Sequence, residues 1–241
     1  MCGRYATTRS AVDLSALFDA VDETGDGLAV DYNVAPTDPV PVVRVSNRVP
    51  GRVLSVARWG LVPPWASDTS GAARMINARA ETVATTRAYA TSFERRRCLV
   101  PADGWYEWRR ASARQKQPYF MTPRDGGVLA FAGIWAVRGE GPDRLLSCSV
   151  LTVAAVGEFG LVHDRMPLLL PPDRWAGWLA DTPDPAALLV PPLEAYLDTV
   201  EIRPVGPDVG DVRNDGPQLV QRVVVPPLVA VHEGAVDLTL F

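Results

Sequence analysis

Residues 128–154 of this 241-residue chain read VLAFAGIWAVRGEGPDRLLSCSVLTVA. The two apolar halves, Val128–Val137 and Leu145–Ala154, are rich in β-branched residues and typical of strands, and the glycines and proline between them favour a turn. Neighbouring strands joined by a short turn pair antiparallel. This stretch therefore predicts a core that is mostly antiparallel sheet.

Further strands and three helices are predicted elsewhere in the chain. Strands of the same character are predicted at Val40–Val45, Val53–Trp59, Tyr119–Thr122 and Val200–Pro204. Helical patterns occur at residues 10–21, at Glu81–Arg96 and at Pro172–Ala180. The first of these begins with a capping box of Ser10 and Asp13. Its apolar face is expected to consist of Leu14, Leu17, Phe18 and Val21.

The order of these elements indicates the fold class. Helices do not alternate regularly with strands, which favours α+β over a doubly wound parallel fold. We expect one domain over residues 1–222, with a mostly antiparallel, barrel-like β core decorated by peripheral helices. Residues 223–241 begin as a Val- and Pro-rich stretch and are expected to form a tail.

Composition narrows the class of protein. The formal net charge is −4, so contact with nucleic acid would need a local cluster of arginines. No apolar run approaches the ~18 residues that would span a membrane, and the N-terminus lacks the apolar stretch of a secretion signal, so a cytoplasmic location is expected. The three cysteines are far apart and no Cys/His cluster has metal-ligand spacing, so neither a metal nor another cofactor is expected.

Amine chemistry has few candidates in this chain, because its basic residues are 23 arginines and the single lysine Lys116. The N-terminal α-amine is the other candidate. If Met1 is removed, Cys2 presents an amine and a thiol on adjacent carbons. An aldehyde can form an imine with the amine, and the thiol can then close a thiazolidine ring. With reference pKa values of ~8 for the amine and ~8.5 for the thiol, both groups are expected to react without large tuning. The alternative is a chance cysteine at a frayed end.

Six short motifs follow one another in the sequence. They are Met1–Tyr5, Tyr32–Thr37, Trp59–Trp65, Ile76–Thr82, Arg97–Trp108 and His163–Pro167. In this order they resemble the SOS response-associated peptidase (SRAP) family, also described as abasic-site processing proteins. The resemblance implies that Cys2 is a nucleophile, with Asn77, Glu107 and His163 around the reacting aldehyde.

The chemistry of each residue can be weighed separately. Glu107 lies among aromatic residues, which would remove water from its carboxyl group and raise its pKa toward the range of general acid–base catalysis; the alternative is a surface carboxylate on a strand. His163, on a polar loop, could help to open the closed form of an abasic sugar. Asn77 could orient the amine or the sugar through its amide, or it could instead cap a helix beginning at Ala78.

DNA contacts are expected beside these positions. Arg4, Arg79 and Arg165 each lie within two residues of a proposed catalytic residue, so they would bind phosphates that flank the lesion. The resemblance implies that Trp65, with Asn33 and Pro36, forms a platform for neighbouring bases; a core tryptophan is the alternative. Phosphate binding is a weaker interpretation of the three arginines at residues 95–97, because they follow Glu94 at the end of a helical segment, where they would complement the helix dipole.

The tail carries a separate hypothesis. Its last residues resemble the short peptides with which bacterial repair proteins bind the replication sliding clamp, through Leu238, Leu240 and Phe241. A C-terminal strand or an apolar end without a partner is the alternative.

The sequence therefore supports three candidate functions. The first is covalent capture of abasic sites in single-stranded DNA through a thiazolidine, by a monomer associated with the nucleoid when it is bound to DNA. The second is a cysteine peptidase that cleaves only its own Met1–Cys2 bond or other peptides. The third is a non-covalent reader of damaged or modified DNA.

Overall fold

The structure, a computed structural model, describes residues 2–46, 48–110, 116–226 and 228. These residues form thirteen strands and four α-helices. The strands are β1 (Tyr5–Thr7), β2 (Ala20–Asp22), β3 (Asp31–Val34), β4 (Pro39–Val45), β5 (Arg52–Trp59), β6 (Asn77–Arg79), β7 (Arg97–Ala102), β8 (Gly104–Arg110), β9 (Lys116–Pro123), β10 (Leu129–Arg138), β11 (Leu145–Ala154), β12 (Arg165–Pro167) and β13 (Val200–Pro204). The helices are α1 (Ala11–Phe18), α2 (Ala90–Arg95), α3 (Pro172–Leu179) and α4 (Glu194–Leu197).

Five of these strands close into a barrel. β11 pairs with β10, β10 with β7, β7 with β4 and β4 with β5, all antiparallel. A parallel pairing of β5 with β11, at Arg58–Ser147 and Trp59–Cys148, completes the ring. β2 and β12 extend this sheet, and β6 pairs with β11. The predicted α+β fold with a barrel-like, mostly antiparallel β core is confirmed.

A second sheet lies against the barrel, with strand order β13-β9-β8-β1-β3. The chain enters it directly from the barrel, since only Asp103 separates β7 from β8. Gly104 allows the two strands to approach closely at this corner, because a Cβ there would lie 2.4 Å from the backbone oxygen of Met121. The corner carries β8 out of the barrel wall and across the start of the chain, where β8 pairs with β1.

All six strands predicted from the sequence are present, and Leu145–Ala154 and Val200–Pro204 have the predicted bounds. The segment Pro172–Ala180 is also confirmed as a helix that buries Trp175, Trp178 and Leu179. Cys98 and Cys148 are fully buried, as expected of small apolar side chains. Long apolar patterns therefore predicted the principal elements correctly.

Two helix predictions were too long. Ser10 caps α1 through Asp13 as expected, but the helix ends at Phe18, where Asp19 takes a left-handed conformation with φ 49°. Val21, assigned to the helix face, instead belongs to β2 and is 53% exposed; Leu17 is 46% exposed. Of the predicted helix at Glu81–Arg96, only α2 is helical.

Turns take the place of the first part of this predicted helix, at residues 81–85 and 87–89. Both the backbone N–H and the hydroxyl of Thr86 donate to the carbonyl of Thr82, at 2.9 and 2.8 Å.

Arg97 joins two helix ends to the barrel. Its guanidinium donates to the carbonyls of Phe93 and Glu94 at the end of α2, and to those of Trp178 and Ala180 at the end of α3. The helix-dipole interpretation of this arginine run is thus supported at Arg97, whose side chain is 6% exposed.

The tail prediction falls almost wholly beyond the described residues. Leu238, Leu240 and Phe241, the hypothetical clamp-binding residues, lie outside them, and the clamp hypothesis stays a prediction. Within the described parts of the chain, no helix has the length and apolar character needed to cross a bilayer.

Candidate active site

Cys2 lies just before β1 and is fully buried. Burial, and next the negative charge of Glu107, raise the pKa of its thiol well above the usual range, although the N-terminal positive charge and a hydrogen bond from the Arg4 backbone oppose this. The thiol is therefore protonated at neutral pH in this environment. The sequence did not reveal this burial, which disfavours the thiolate, so a nearby base would assist reaction of the thiol.

Asn77 holds the backbone of Cys2. It begins β6, where it pairs with Val150 of β11, and its side-chain Nδ2 donates to the Cys2 carbonyl oxygen at 2.6 Å. The Tyr89 hydroxyl donates to the backbone oxygen of Asn77 at 3.2 Å. The alternative role of capping a helix at Ala78 is wrong, because a strand begins there. The Asn77 Oδ1 is buried and has no hydrogen-bond partner among the described residues.

Glu107 lies in the middle of β8, opposite Tyr119 of β9, and only 3% of it is exposed. Burial raises the pKa of its carboxyl group to about 7; the N-terminal positive charge lowers it and Asp164 raises it further. The surface-carboxylate alternative is wrong, and the expected pKa rise is confirmed. At neutral pH both the acid and the base form of this group are populated.

His163 follows a short 3₁₀ turn at Gly157–Leu161, and its side chain is 27% exposed. Its Nδ1 accepts a hydrogen bond from the backbone N–H of Arg165 at 2.9 Å, and lies 2.8 Å from Oδ1 of Asp164. These contacts require opposite protonation of Nδ1. We assign the proton to Nε2, because the backbone donor is fixed, whereas the Asp164 side chain is 85% exposed and can turn to water. The influence of Asp164 on the pKa of Glu107 places this loop near the same site.

Arg4 and Asn33 form an internal hydrogen-bond network. Arg4 Nη1 donates to Asn33 Oδ1 at 2.7 Å and to the Val209 carbonyl at 3.0 Å. Asn33 is 3% exposed and its Nδ2 donates to the carbonyls of Asp211 and Asn214. This network fixes β1 and β3 to the loop at residues 207–214, so both predicted DNA ligands have a structural role here.

The other predicted arginines differ in availability. Arg165 donates through two nitrogens to the two carboxylate oxygens of Glu81, at 2.6 and 2.9 Å, and also to the Thr152 carbonyl. Arg79, at the end of β6, is exposed. Arg79 is therefore the arginine of this group that is most accessible to a ligand.

Trp65 is 59% exposed, which contradicts the core alternative for this residue. The guanidinium of Arg87 lies 4.8 Å from its ring centroid. Pro36 lies half-buried in the turn between β3 and β4. Sequence reasoning missed Arg87 because its contact with Trp65 crosses 22 positions of loop and turn, with no pattern that marks it.

The described residues contain no group of three or more His, Cys, Asp or Glu side chains that could hold a metal ion. The site consists instead of an amide, a carboxyl group, a thiol and an imidazole from four different segments. The carboxyl group of Glu107 can both give and take protons, and the backbone of Cys2, which carries the thiol, is held by Asn77. These features make the residues around Cys2 a candidate active site in a single-domain α+β protein.

Comparison with known proteins shows the family of this chain. The family model of SOS response associated peptidase (SRAP) matches residues 1–212, and the chain belongs to this family. The resemblance drawn from the six motifs is confirmed.

Named relatives match over almost the whole chain. Abasic site processing protein YoaM of Bacillus subtilis (strain 168) is 32% identical over 226 residues, which cover 91% of this chain and 97% of the relative. Abasic site processing protein YedK of Escherichia coli (strain K12) is 31% identical over 235 residues, covering 92% and 100%. A crystal structure of a protein from Bacteroides thetaiotaomicron matches with a TM-score of 0.79 and 21% identity, over 92% of this chain and 100% of the other; this likeness concerns the fold.

Proposed function

We propose that this chain processes abasic sites in single-stranded DNA, and that after removal of Met1 it binds the lesion covalently through a thiazolidine at Cys2. The observation that carries the proposal is the position of Cys2, whose carbonyl is bound by Asn77 and whose thiol is subject to the charge of Glu107. The names of relatives that match over nine-tenths of the chain support the choice of substrate.

The reaction would proceed in two stages. The α-amine of Cys2 attacks the aldehyde carbon, and the resulting carbinolamine loses water to give an imine. Glu107 in its acid form protonates the departing hydroxyl group. Loss of water leaves the nitrogen protonated, as an iminium ion, and Glu107 as a carboxylate. The thiol proton then passes to this carboxylate, which restores its acid form, and the sulfur adds to the iminium carbon to leave a neutral ring nitrogen. The balance is one water released and one ring formed.

A carboxyl pKa of about 7 suits both stages. The acid form is needed to expel water and the base form to take the proton of a thiol whose own pKa is raised. A carboxyl group with an ordinary pKa would be almost entirely ionised at pH 7 and could supply only the second function. Burial of Glu107 thus accounts for its proposed use in both directions.

His163 would act on the sugar before these steps. Abasic sugars are mostly closed hemiacetals, and the aldehyde appears only when the ring opens. With Nδ1 accepting the Arg165 amide, Nε2 carries the hydrogen and can donate a hydrogen bond to the ring oxygen, which stabilises it while the C1 hydroxyl proton moves to it as the ring opens.

DNA would be held by the residues around the site. The exposed ring of Trp65 offers a face to a neighbouring base, beside Pro36, and the exposed Arg79 can bind a phosphate. Arg4 and Arg165 remain predicted phosphate ligands, but each would exchange a protein acceptor for a phosphate oxygen.

Intact-protein mass spectrometry after incubation with an abasic oligonucleotide tests the proposal. We expect an adduct whose mass is the sum of the mature protein and the oligonucleotide less one water, and none that survives denaturation with Cys2→Ser. Cys98→Ser, at another buried cysteine, is the matched control and should retain the adduct. A protein that keeps Met1 and still forms the stable adduct would refute the aminothiol chemistry.

The same experiment separates the two other candidates. The peptidase described in the family name predicts release of a peptide or of Met1 in a Cys2-dependent manner without an adduct. A non-covalent reader predicts binding without any change in mass.

A further inference from the structure

A cleft of about 1150 Å³ lies at one end of the barrel, and none of its lining residues belongs to the Cys2 site. The cleft is rich in arginine: its lining includes Arg44, Arg48, Arg95, Arg96, Arg97 and Arg144. Its carboxylates are Glu23, Glu94 and Asp181. Six positive charges against three negative ones leave an excess of three, in a chain whose net charge is −4. The cleft is thus a local exception to the acidic character of the protein.

Arg44 is the buried centre of this cleft. It is 8% exposed, and its Nη2 donates to Glu23 at 3.0 Å. Its Nε is buried and has no hydrogen-bond partner among the described residues. Arg44, Arg48 and Arg144 line the same cleft. Burial lowers the pKa of Arg44, the charge of Glu23 opposes this, and the like charges of Arg144 and Arg48 lower it further. Convergent cations with an unused donor favour an anionic ligand.

Trp135 orders two of the arginines. The guanidinium of Arg44 lies 5.1 Å from its ring centroid and that of Arg96 lies 5.6 Å from it. A guanidinium stacked on an aromatic face keeps its N–H edge available to oxygen acceptors. Within the described parts of the chain, Arg48, Arg96 and Arg144 donate no side-chain hydrogen bond to another residue.

Strand register relates the cleft to the Cys2 site. Asn77 is paired with Val150, Val150 with Gly133, Gly133 with Cys98 and Cys98 with Arg44. The amide that holds Cys2 and the centre of the cleft therefore lie on one rung of the sheet, four strand spacings apart. At ~4.8 Å per spacing this is roughly 19 Å along the sheet. Because these strands curve round the closed barrel, this is an arc length, and the two backbone positions lie no further apart than this.

We propose that the arginine cleft binds phosphate groups of single-stranded DNA, as a second anchor for the strand whose lesion lies at Cys2. This inference rests on the proposed function for its ligand. The guanidinium edges of Arg48, Arg96 and Arg144 take phosphate oxygens, while Arg97 stays committed to the helix carbonyls and positions the cleft wall. Glu23 orients Arg44 and reduces the charge that the cleft would otherwise hold without DNA.

The salt dependence of the protein's affinity for an undamaged single-stranded oligonucleotide tests whether the cleft binds phosphate groups. The cleft variant carries Arg48→Ala and Arg144→Ala, both exposed. The matched control carries Arg124→Ala and Arg222→Ala, which are exposed arginines outside the cleft and change the net charge equally. Fluorescence anisotropy is measured with a long oligonucleotide of about 16 nucleotides and a short one of about 4, which bracket single-strand site sizes.

For single strands the slope of log K against log[salt] changes by about 0.7 per phosphate contact. Loss of two contacts should lower the slope by about 1.4 for the long oligonucleotide in the cleft variant. A fourfold rise in salt would then weaken wild type about 7-fold more than the variant. The control double variant should keep the wild-type slope, and the short oligonucleotide should not distinguish the proteins.

An unchanged slope for the long oligonucleotide in the cleft variant would overturn the inference. An equal change in slope for both lengths would also overturn it, because the effect of the substitutions would then not require an oligonucleotide long enough to reach the cleft. Failure of the underlying function is seen separately. A short abasic oligonucleotide at saturation should crosslink equally to wild type and cleft variant. No crosslink to either protein would refute the proposed function, whereas crosslinking with an unchanged slope would refute only the cleft.

Discussion

The buried carboxyl group of Glu107 leads to a prediction about stability as well as chemistry. Its pKa is raised from an ordinary 4.5 to about 7, mainly by burial. The folded-state pKa is the higher of the two. Between pH 4.5 and about pH 7, ionisation of this carboxyl group therefore lowers the free energy of the unfolded chain but not that of the folded protein. Stability is therefore fully present below the unfolded pKa, declines as pH rises, and levels off above the folded pKa.

The size of this decline follows from the shift. Each pKa unit corresponds to about 1.4 kcal/mol of difference between the folded and unfolded states. Between about pH 5 and about pH 8, Glu107 should cost the folded protein about 2 to 3 kcal/mol. Glu107→Gln keeps the shape and removes the charge. The variant should therefore gain this amount relative to wild type on going from the lower to the higher pH.

Urea unfolding of both proteins at the two pH values measures the effect as a double difference. The matched control is Glu194→Gln, at an exposed carboxyl group that begins α4, where the double difference should stay within about 0.5 kcal/mol. If Glu107→Gln gave a value as small as the control, Glu107 would not be a desolvated carboxyl group, and its proposed role as both acid and base would lose its basis.

Three further predictions concern the site and its support. Asn77→Ala removes the hydrogen bond to the Cys2 carbonyl, so crosslinking measured by quenched gel assay should slow on the order of 10²-fold, while the free energy of unfolding changes by only about 1 kcal/mol. Trp65→Ala should weaken binding of undamaged single-stranded DNA by about 1–3 kcal/mol in anisotropy, with unfolding unchanged, since this ring is exposed; equal affinity would remove it from the DNA platform. Arg97→Ala leaves carbonyls at two helix ends without a donor and should cost about 3 kcal/mol or more in urea unfolding, whereas Arg95→Ala, in the same run but 72% exposed, should stay within about 0.5 kcal/mol.

Several features of the fold could be predicted because their cause is local. The long apolar strands, such as Leu145–Ala154, have enough length for their pattern to be distinctive. Short strands such as Tyr5–Thr7 and Asn77–Arg79 have no such pattern, and they exist because a neighbouring strand supplies partners. Pairing with a neighbouring strand also shortened the first helix, because Ala20–Asp22 pairs with β5 and does not continue the helix.

The site divides in a similar way. The residue types that perform the proposed chemistry, and their resemblance to a family, were available from the order of motifs along the chain. The sequence did not reveal that the predicted DNA ligands Arg4 and Asn33 are hydrogen-bonded within the protein. Arg4 and Asn33 are 29 positions apart, and their network with the loop at residues 207–214 arises only when the second sheet forms.

The sequence by itself determined the family and the α+β class, and it predicted Cys2, Asn77, Glu107 and His163 as site residues, because motifs and apolar periodicity are properties of the linear chain. Only the tertiary structure decided that Cys2 is fully buried, that the pKa of Glu107 is about 7, and that Arg44 from β4 and Arg96 from the end of α2 meet at Trp135. The physical reason is that desolvation and Coulomb interactions depend on distances through space. Those distances are set when the five strands β4, β5, β7, β10 and β11 close the barrel and β8 pairs with β1, and not by separation along the chain.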